Sequence, residues 1–289
     1  MSVDSLEEIT ETLRGQEYVS DDAVSMSLYL ALKMQRPLFL EGAPGVGKTE
    51  IARVLSGAFG AELIRLQCYE GLDIHHALYE WNYPRQLLRL QAGHKDDLGE
   101  IYSEDFLLKR PLLQAIDPSR KSAPVLLIDE IDRADEEFES FLLELLSDFQ
   151  VTIPELGSVK ASHRPIVILT SNRTREIHDA LKRRCIYCWI DYPSMQKESA
   201  IVSMKAPGLS EHVRTQVVQF IQKLREQDLL KPPGIAETLD WAEALVLLGI
   251  AELDAETVRR TLGVVLKHQQ DISVVERLLD DQGWAAQAG

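Results

Sequence analysis

Cysteine is scarce: Cys68, Cys185 and Cys188 are the three in 289 residues. So small and odd a number excludes a disulfide framework and points to a reducing compartment. Long apolar runs are lacking too. The longest, residues 244–251 (ALVLLGIA), is far short of the about 20 residues a bilayer span needs. The start, MSVDSLEEITETLRG, is acidic and has no apolar centre of the kind a secretory signal carries. The expectation is a cytoplasmic chain without stable membrane insertion. Positive charge is in deficit: 31 Lys and Arg against 46 Asp and Glu give −15, with no basic run. Such a surface repels a phosphodiester backbone, which weighs against a nucleic-acid partner. Internal repeats, low-complexity tracts and an Asn-Lys-x-Asp guanine motif are all missing, the last removing a GTPase reading.

What is present is an ordinary globular composition, 45% hydrophobic and 27% charged, and a length that predicts two domains. Apolar runs at 37–41, 62–67, 125–129, 166–172 and 186–190 read as five buried strands. Helical periodicity fills 24–36, the stretch from 49, and 136–149. Residues 150–162 (QVTIPELGSVKAS) alternate and turn at 156–157, which predicts a β-hairpin. The segment between 67 and 125 is too long for one crossover and rich in aromatics and Leu, so an ordered insertion is expected at about 68–92. Beyond 193 the strand signals stop and helices are predicted at 196–206, 210–228, 234–250, 254–270 and 272–282. The expected architecture is therefore an α/β domain with a parallel five-stranded sheet over 1–193 and an all-helical domain over 194–289.

Between the first strand and the next helix lies Gly42-Ala43-Pro44-Gly45-Val46-Gly47-Lys48-Thr49. It fits G-x-x-x-x-G-K-[ST] in the strand-to-helix context the motif requires. Glycines let successive backbone N–H groups point at phosphate oxygens, and the helix N-terminus adds its positive end. Lys48 is suited to the β/γ-phosphates and the Thr49 hydroxyl to Mg²⁺. Asp129 and Glu130 close the run VLLI, at the carboxyl end of a strand, where open α/β sheets place ligands. Asp129 is the candidate Mg²⁺ contact and Glu130 the candidate base for the attacking water. Asp132 and Asp135 read as acids at the start of the next helix. Asn172 ends IVILTS and is positioned for the γ-phosphate or the water.

GAPGVGKT, VLLIDEID and ILTSN, in this order and followed by a helical domain, resemble the Walker A, Walker B, sensor 1 and lid of the AAA+ P-loop NTPases. LIRLQCYEGLD and the hairpin before sensor 1 are similar to the MoxR branch. RLQCYEGLDIHHALYEWNYPRQLL and FLLELLSDFQVTIPELG look most like the CoxD-type subgroup accompanying molybdenum-containing carbon monoxide dehydrogenase. The resemblance implies an ATP-hydrolysing chaperone, assembled as a homo-oligomeric ring, usually a hexamer. It also implies a client metalloenzyme and a separate von Willebrand A-domain protein. A neighbour's arginine would stabilise the transferring phosphoryl group, and in DALKRRC that position falls at Arg183 or Arg184. The sequence departs from the branch at sensor 2. PPGIAETLDWAEAL has no basic residue, Glu237 and Thr238 stand about where the arginine would be, and Lys231 is a candidate substitute. The alternative class is a nucleic-acid-associated AAA+ motor or clamp-loader-like ATPase, against which the −15 balance speaks.

Several local patterns are given their plainer reading. Cys185 and Cys188 read as buried thiols, and His75-His76 lacks a third ligand at useful spacing. The acids from 129 to 139 read mostly as a solvated helix face. The alternation Tyr79-Trp81-Tyr83, with Tyr69 upstream, reads as sheet cover or as a grip on a client.

Overall fold

The computed structural model describes residues 3–91 and 100–282. The parts of the expected insertion and domains at 1–2, 92–99 and 283–289 lie outside the described residues. The chain forms two compact units: Met1–Gln16 with Ser20–Gly42 and Lys48–Trp189, and Glu17–Val19 with Ala43–Gly47 and Ile190–Gly289.

The first unit opens with α1 (Leu6–Gly15) and α2 (Asp22–Met34), then β1 (Leu38–Gly42), α3 (Lys48–Phe59) and β2 (Leu63–Gln67). An insertion follows, with α4 (Ile74–Ala77), β3 (Tyr79–Trp81), α5 (Tyr83–Gln91), β4 (Leu107–Lys109) and α6 (Pro111–Ala115). The unit closes with β5 (Val125–Asp129), α7 (Glu136–Asp148), the hairpin β6 (Gln150–Ile153) and β7 (Gly157–Lys160), β8 (Ile166–Ser171), α8 (Asp179–Arg184) and β9 (Ile186–Ile190). The main sheet runs β2-β5-β8-β1-β9. Its pairs β2–β5, β5–β8 and β1–β8 are parallel. Every residue of β1 and β5 is buried, as continuous apolar strands covered on both faces must be. Phe138, Leu142 and Leu145 of α7 pack with Leu126, Ile128 and Leu169 in the core. Parallel pairing brings the ends of β5, β8 and β2 together at one edge of the sheet.

Three features depart from or extend the sequence expectation. The acidic start is a helix, α1, capped by Ser5, whose Oγ accepts the Glu8 N–H at 3.2 Å, and anchored by buried Ile9 and Leu13. Helix α2 stops at Gln35, left-handed at φ 53, rather than at Pro37. The insertion builds its own small sheet, Tyr79 facing Lys109 and Trp81 facing Leu107, so it continues past residue 92. The hairpin turns where expected. Val151 faces Val159, the Leu156 N–H reaches the Ile153 carbonyl at 3.1 Å, and Gly157 takes the positive φ of 83.

The second unit contains α9 (Met195–Lys205), α10 (Glu211–Arg225), α11 (Ile235–Leu247), α12 (Ala255–Val265) and α13 (Gln269–Gln282). Phe220 and Trp241 meet at 5.3 Å in its core, and the Trp241 indole donates to Thr261 Oγ1 at 2.8 Å. A buried Glu198 accepts both terminal nitrogens of Arg225 at 2.7 Å, the Thr238 hydroxyl at 2.7 Å and the Gln222 amide at 2.7 Å. Arg225 Nε also holds the Pro233 carbonyl at 2.8 Å, which fixes the entry to α11. Residues 43–47 pack with this unit: the Ala236 N–H donates to the Gly45 carbonyl at 3.2 Å. A Cβ at Gly234 would stand 2.8 Å from that same carbonyl, which explains the glycine. No helix among the described residues is long and apolar enough to cross a membrane.

Candidate nucleotide site

Strand β1 ends at Gly42 and α3 begins at Lys48. The loop between them, Ala43-Pro44-Gly45-Val46-Gly47, can curl because Gly45 and Gly47 take φ of 75 and 92, which side chains resist. The Lys48 ammonium folds back to donate to the Gly42 carbonyl at 2.8 Å. Burial pushes its pKa down to about 8, against the opposing pull of Asp132, Asp129, Glu130 and Glu41. One residue on, the Thr49 hydroxyl donates to Asp129 Oδ1 at 3.0 Å. A hydroxyl beside a carboxylate is an all-oxygen donor pair, the kind a hard divalent cation such as Mg²⁺ takes.

Asp129 is buried and fully engaged. Oδ1 accepts Thr170 Oγ1 at 2.6 Å as well as Thr49, and Oδ2 accepts Arg65 Nε at 3.1 Å and Nη2 at 2.6 Å. Glu130 follows with a left-handed φ of 55, sparsely populated for a residue with a side chain. Its N–H donates to Thr170 Oγ1 at 3.0 Å. Its carboxylate stands between neighbouring strands: Oε1 accepts Asn172 Nδ2 at 3.2 Å, Oε2 accepts Gln67 Nε2 at 3.0 Å, and Arg133 pairs at 3.3 Å. Asp129, Glu130, Asn172 and Thr49 therefore meet at one edge of the sheet.

The acids after Glu130 need a correction. Asp132 is no helix-start acid: it is buried in a 3-10 turn and accepts the Asn172 N–H at 3.2 Å, the Thr174 N–H at 2.9 Å and the Thr174 hydroxyl at 2.7 Å. Asp135 does cap α7, accepting the Phe138 N–H at 2.8 Å. Glu139, expected on a solvated face, is buried, accepts the His178 N–H at 2.8 Å and pairs with Arg175. These carboxylates turn inward to meet the N–H groups of Asn172, Thr174 and His178, and Glu139 also meets Arg175, which holds the Ala134 and Glu176 carbonyls as well.

Residues 37–185, more than half of the chain, match the AAA domain (dynein-related subfamily). The chain belongs to that family. It is an ATPase of AAA+ P-loop fold, with a parallel sheet and a helical C-terminal region. An uncharacterized protein of Staphylococcus haemolyticus is 23% identical over 93% of this chain and 98% of its own length. The chaperone protein ClpB of Chlamydia trachomatis is 27% identical over 83% of this chain, which spans 28% of that longer protein. Lon protease of Cytophaga hutchinsonii is 23% identical over 89% of this chain and 30% of its own. Among solved structures, a RuvB mutant of Thermotoga maritima shares the fold with a TM-score of 0.51, 16% identity, and coverage of 91% of this chain and 72% of that one.

Within this AAA module, the two arginines of α8 differ. Arg184 donates to the Leu143 carbonyl of α7. The Arg183 guanidinium is exposed and has no hydrogen-bond or ion-pair partner among the described residues. Arg36 grips the backbone carbonyls of residues 183, 184 (3.0 Å) and 185 (3.3 Å), fixing the end of α8. At the sensor-2 position Glu237 caps α11, accepting the Gly234 N–H at 2.9 Å, while Thr238 turns inward to Glu198. Lys231 is exposed, its N–H on Asp271 at 3.2 Å.

Cys185 caps α8 and Cys188 lies in β9, both buried; burial pushes the Cys185 thiol up to about 12. The aromatic alternation divides: Trp81 is buried against Tyr102 at 5.4 Å and Tyr79 meets it edge-on at 6.1 Å, whereas Tyr69 and Tyr83 are exposed. Sequence reading missed Arg65, Gln67 and Thr170. Their signals were faint, two polar residues on one face of β2 and a threonine inside an apolar run.

Proposed function

We propose that this ATPase is a MoxR-branch chaperone of the CoxD type, working as a ring, the hexamer being the branch's usual form, to remodel or mature a metalloenzyme client with a separate von Willebrand A-domain partner. The motif order, the ClpB relatives and the hairpin before sensor 1 support that reading. The observation that carries the catalytic part is the Glu130 carboxylate held at 3.0–3.2 Å by Gln67 and Asn172 beside the Thr49–Asp129 pair.

In this reading the 42–47 backbone and Lys48 bind the phosphates of ATP, and Thr49 and Asp129 hold Mg²⁺. Magnesium supplies charge neutralisation at the phosphate oxygens. Glu130 takes the proton of the attacking water. Asn172 orients that carboxylate and, through it, the water. A finger must reach out of its own subunit, and the unpartnered Arg183 is better suited than Arg184, which is tied to α7.

A tagged Glu130→Gln chain, which should keep ATP bound, tests the reading by co-purification. Recovery of a von Willebrand A-domain protein and a molybdenum hydroxylase in an ATP-dependent manner is expected. Recovery of nucleic acid and neither protein contradicts it.

A further inference from the structure

Strand β2 lies at the edge of the sheet against β5, with Arg65 opposite Leu127 and Gln67 opposite Asp129. Two residues apart on a strand, Arg65 and Gln67 share a face, and both turn toward the carboxylates that end β5. Gln67 takes Glu130; Arg65 puts Nε and Nη2 on Asp129 Oδ2, and its Nη2 also reaches Gln67 Oε1 at 2.5 Å. Asp129 is almost wholly buried and Arg65 half-exposed, their side chains 4% and 54% accessible. Glu41, Glu130 and Asp132 also surround the site and act on Lys48, and Arg133 pairs with Glu130.

We propose that Arg65 is a positioning residue that sets how strongly nucleotide binding depends on magnesium. The inference rests on the reading of Thr49 and Asp129 as the Mg²⁺ pair. A guanidinium on Asp129 neutralises a carboxylate that would otherwise attract a divalent cation in full, and like charges repel. Arg65 thus weakens the pull on the metal. It also supplies part of the positive charge that a metal-free nucleotide needs. The ratio of metal-free to metal-saturated dissociation constants is therefore smaller with Arg65 than without it. A merely structural clasp between β2 and β5 would leave that ratio alone, changing both constants together.

The test is a fluorescent N-methylanthraniloyl ATP titration of the full chain, in EDTA and in saturating Mg²⁺, with the Mg²⁺ half-point at fixed nucleotide. Arg65→Met should raise the ratio by about tenfold, the scale for removing one charge beside a divalent ion in water. Arg65→Lys, which keeps the charge, should stay within about threefold of wild type. If Arg65→Met does not fold, Arg65→Gln, a neutral donor to Asp129, carries the same expectation. A charge-free variant with wild-type fold and wild-type ratio overturns the proposal. A wild-type chain that binds the nucleotide in neither condition instead overturns the reading of the site.

Discussion

Arg225 on Glu198 and Arg65 on Asp129 are the same kind of ion pair in two settings. The first has side chains 7% and 0% accessible, and four donors converge on the glutamate. The second has an arginine 54% accessible that water can reach. The buried pair fixes the start of α11 and cannot exchange partners without stranding a charge. In the proposed site, the half-exposed Arg65 would let Asp129 trade one cation for another. The same chemistry thus makes a closed clasp in the helical unit and a contact that water reaches from the arginine side beside Thr49. Burial, more than residue type, separates the two.

The largest effect expected at the nucleotide site comes from α8. Arg183→Ala should lower kcat by about 10³-fold, and in equimolar mixtures with wild type it should depress ATPase by more than dilution. Arg184→Ala should cost less than about tenfold, because its guanidinium is spent on the Leu143 carbonyl. Equal losses in the two variants, read by steady-state phosphate release, would erase that distinction. In urea unfolding, Arg225→Met should cost about 3–5 kcal/mol by leaving Glu198 buried and unpaired. Arg65→Met should cost less than Arg225→Met, because the Thr49 and Thr170 hydroxyls stay on Asp129 and water reaches the face that the half-exposed Arg65 leaves. Matching losses would break the comparison between the two pairs.

A further effect is in pH. Lys48, held down to about 8 by burial, is charged below that value and loses its charge as pH rises through it. Metal-free nucleotide affinity should fall by about tenfold between pH 7 and 9, with proton uptake on binding above pH 8. Calorimetry in two buffers of different ionisation enthalpy measures both, and flat affinity with no uptake would contradict the assignment.

Much of the site was legible because it follows the chain. The glycines before Lys48 need one local conformation, and Asp129, Glu130 and Asn172 each close an apolar run, which puts them at the carboxyl ends of parallel strands. What was illegible lies across strands. Gln67 meets Glu130 and Thr170 meets Asp129 only because β2, β5 and β8 are neighbours in the sheet, 40 residues or more apart in sequence. Asp132 looked like a helix-start acid because its true partners, the N–H groups of Asn172 and Thr174, belong to a loop whose return no local pattern announces. Helix α1 was hidden by its polarity: two buried apolar residues, Ile9 and Leu13, suffice to seat it.

The central claim is that Glu130 performs the chemistry while the cradle around Lys48 performs the binding. Glu130→Gln, assayed for both, separates the two most directly. The dissociation constant for the fluorescent nucleotide should stay within about threefold of wild type, and kcat should fall by at least about 100-fold. Wild-type turnover in Glu130→Gln, or loss of binding in step with turnover, would contradict it.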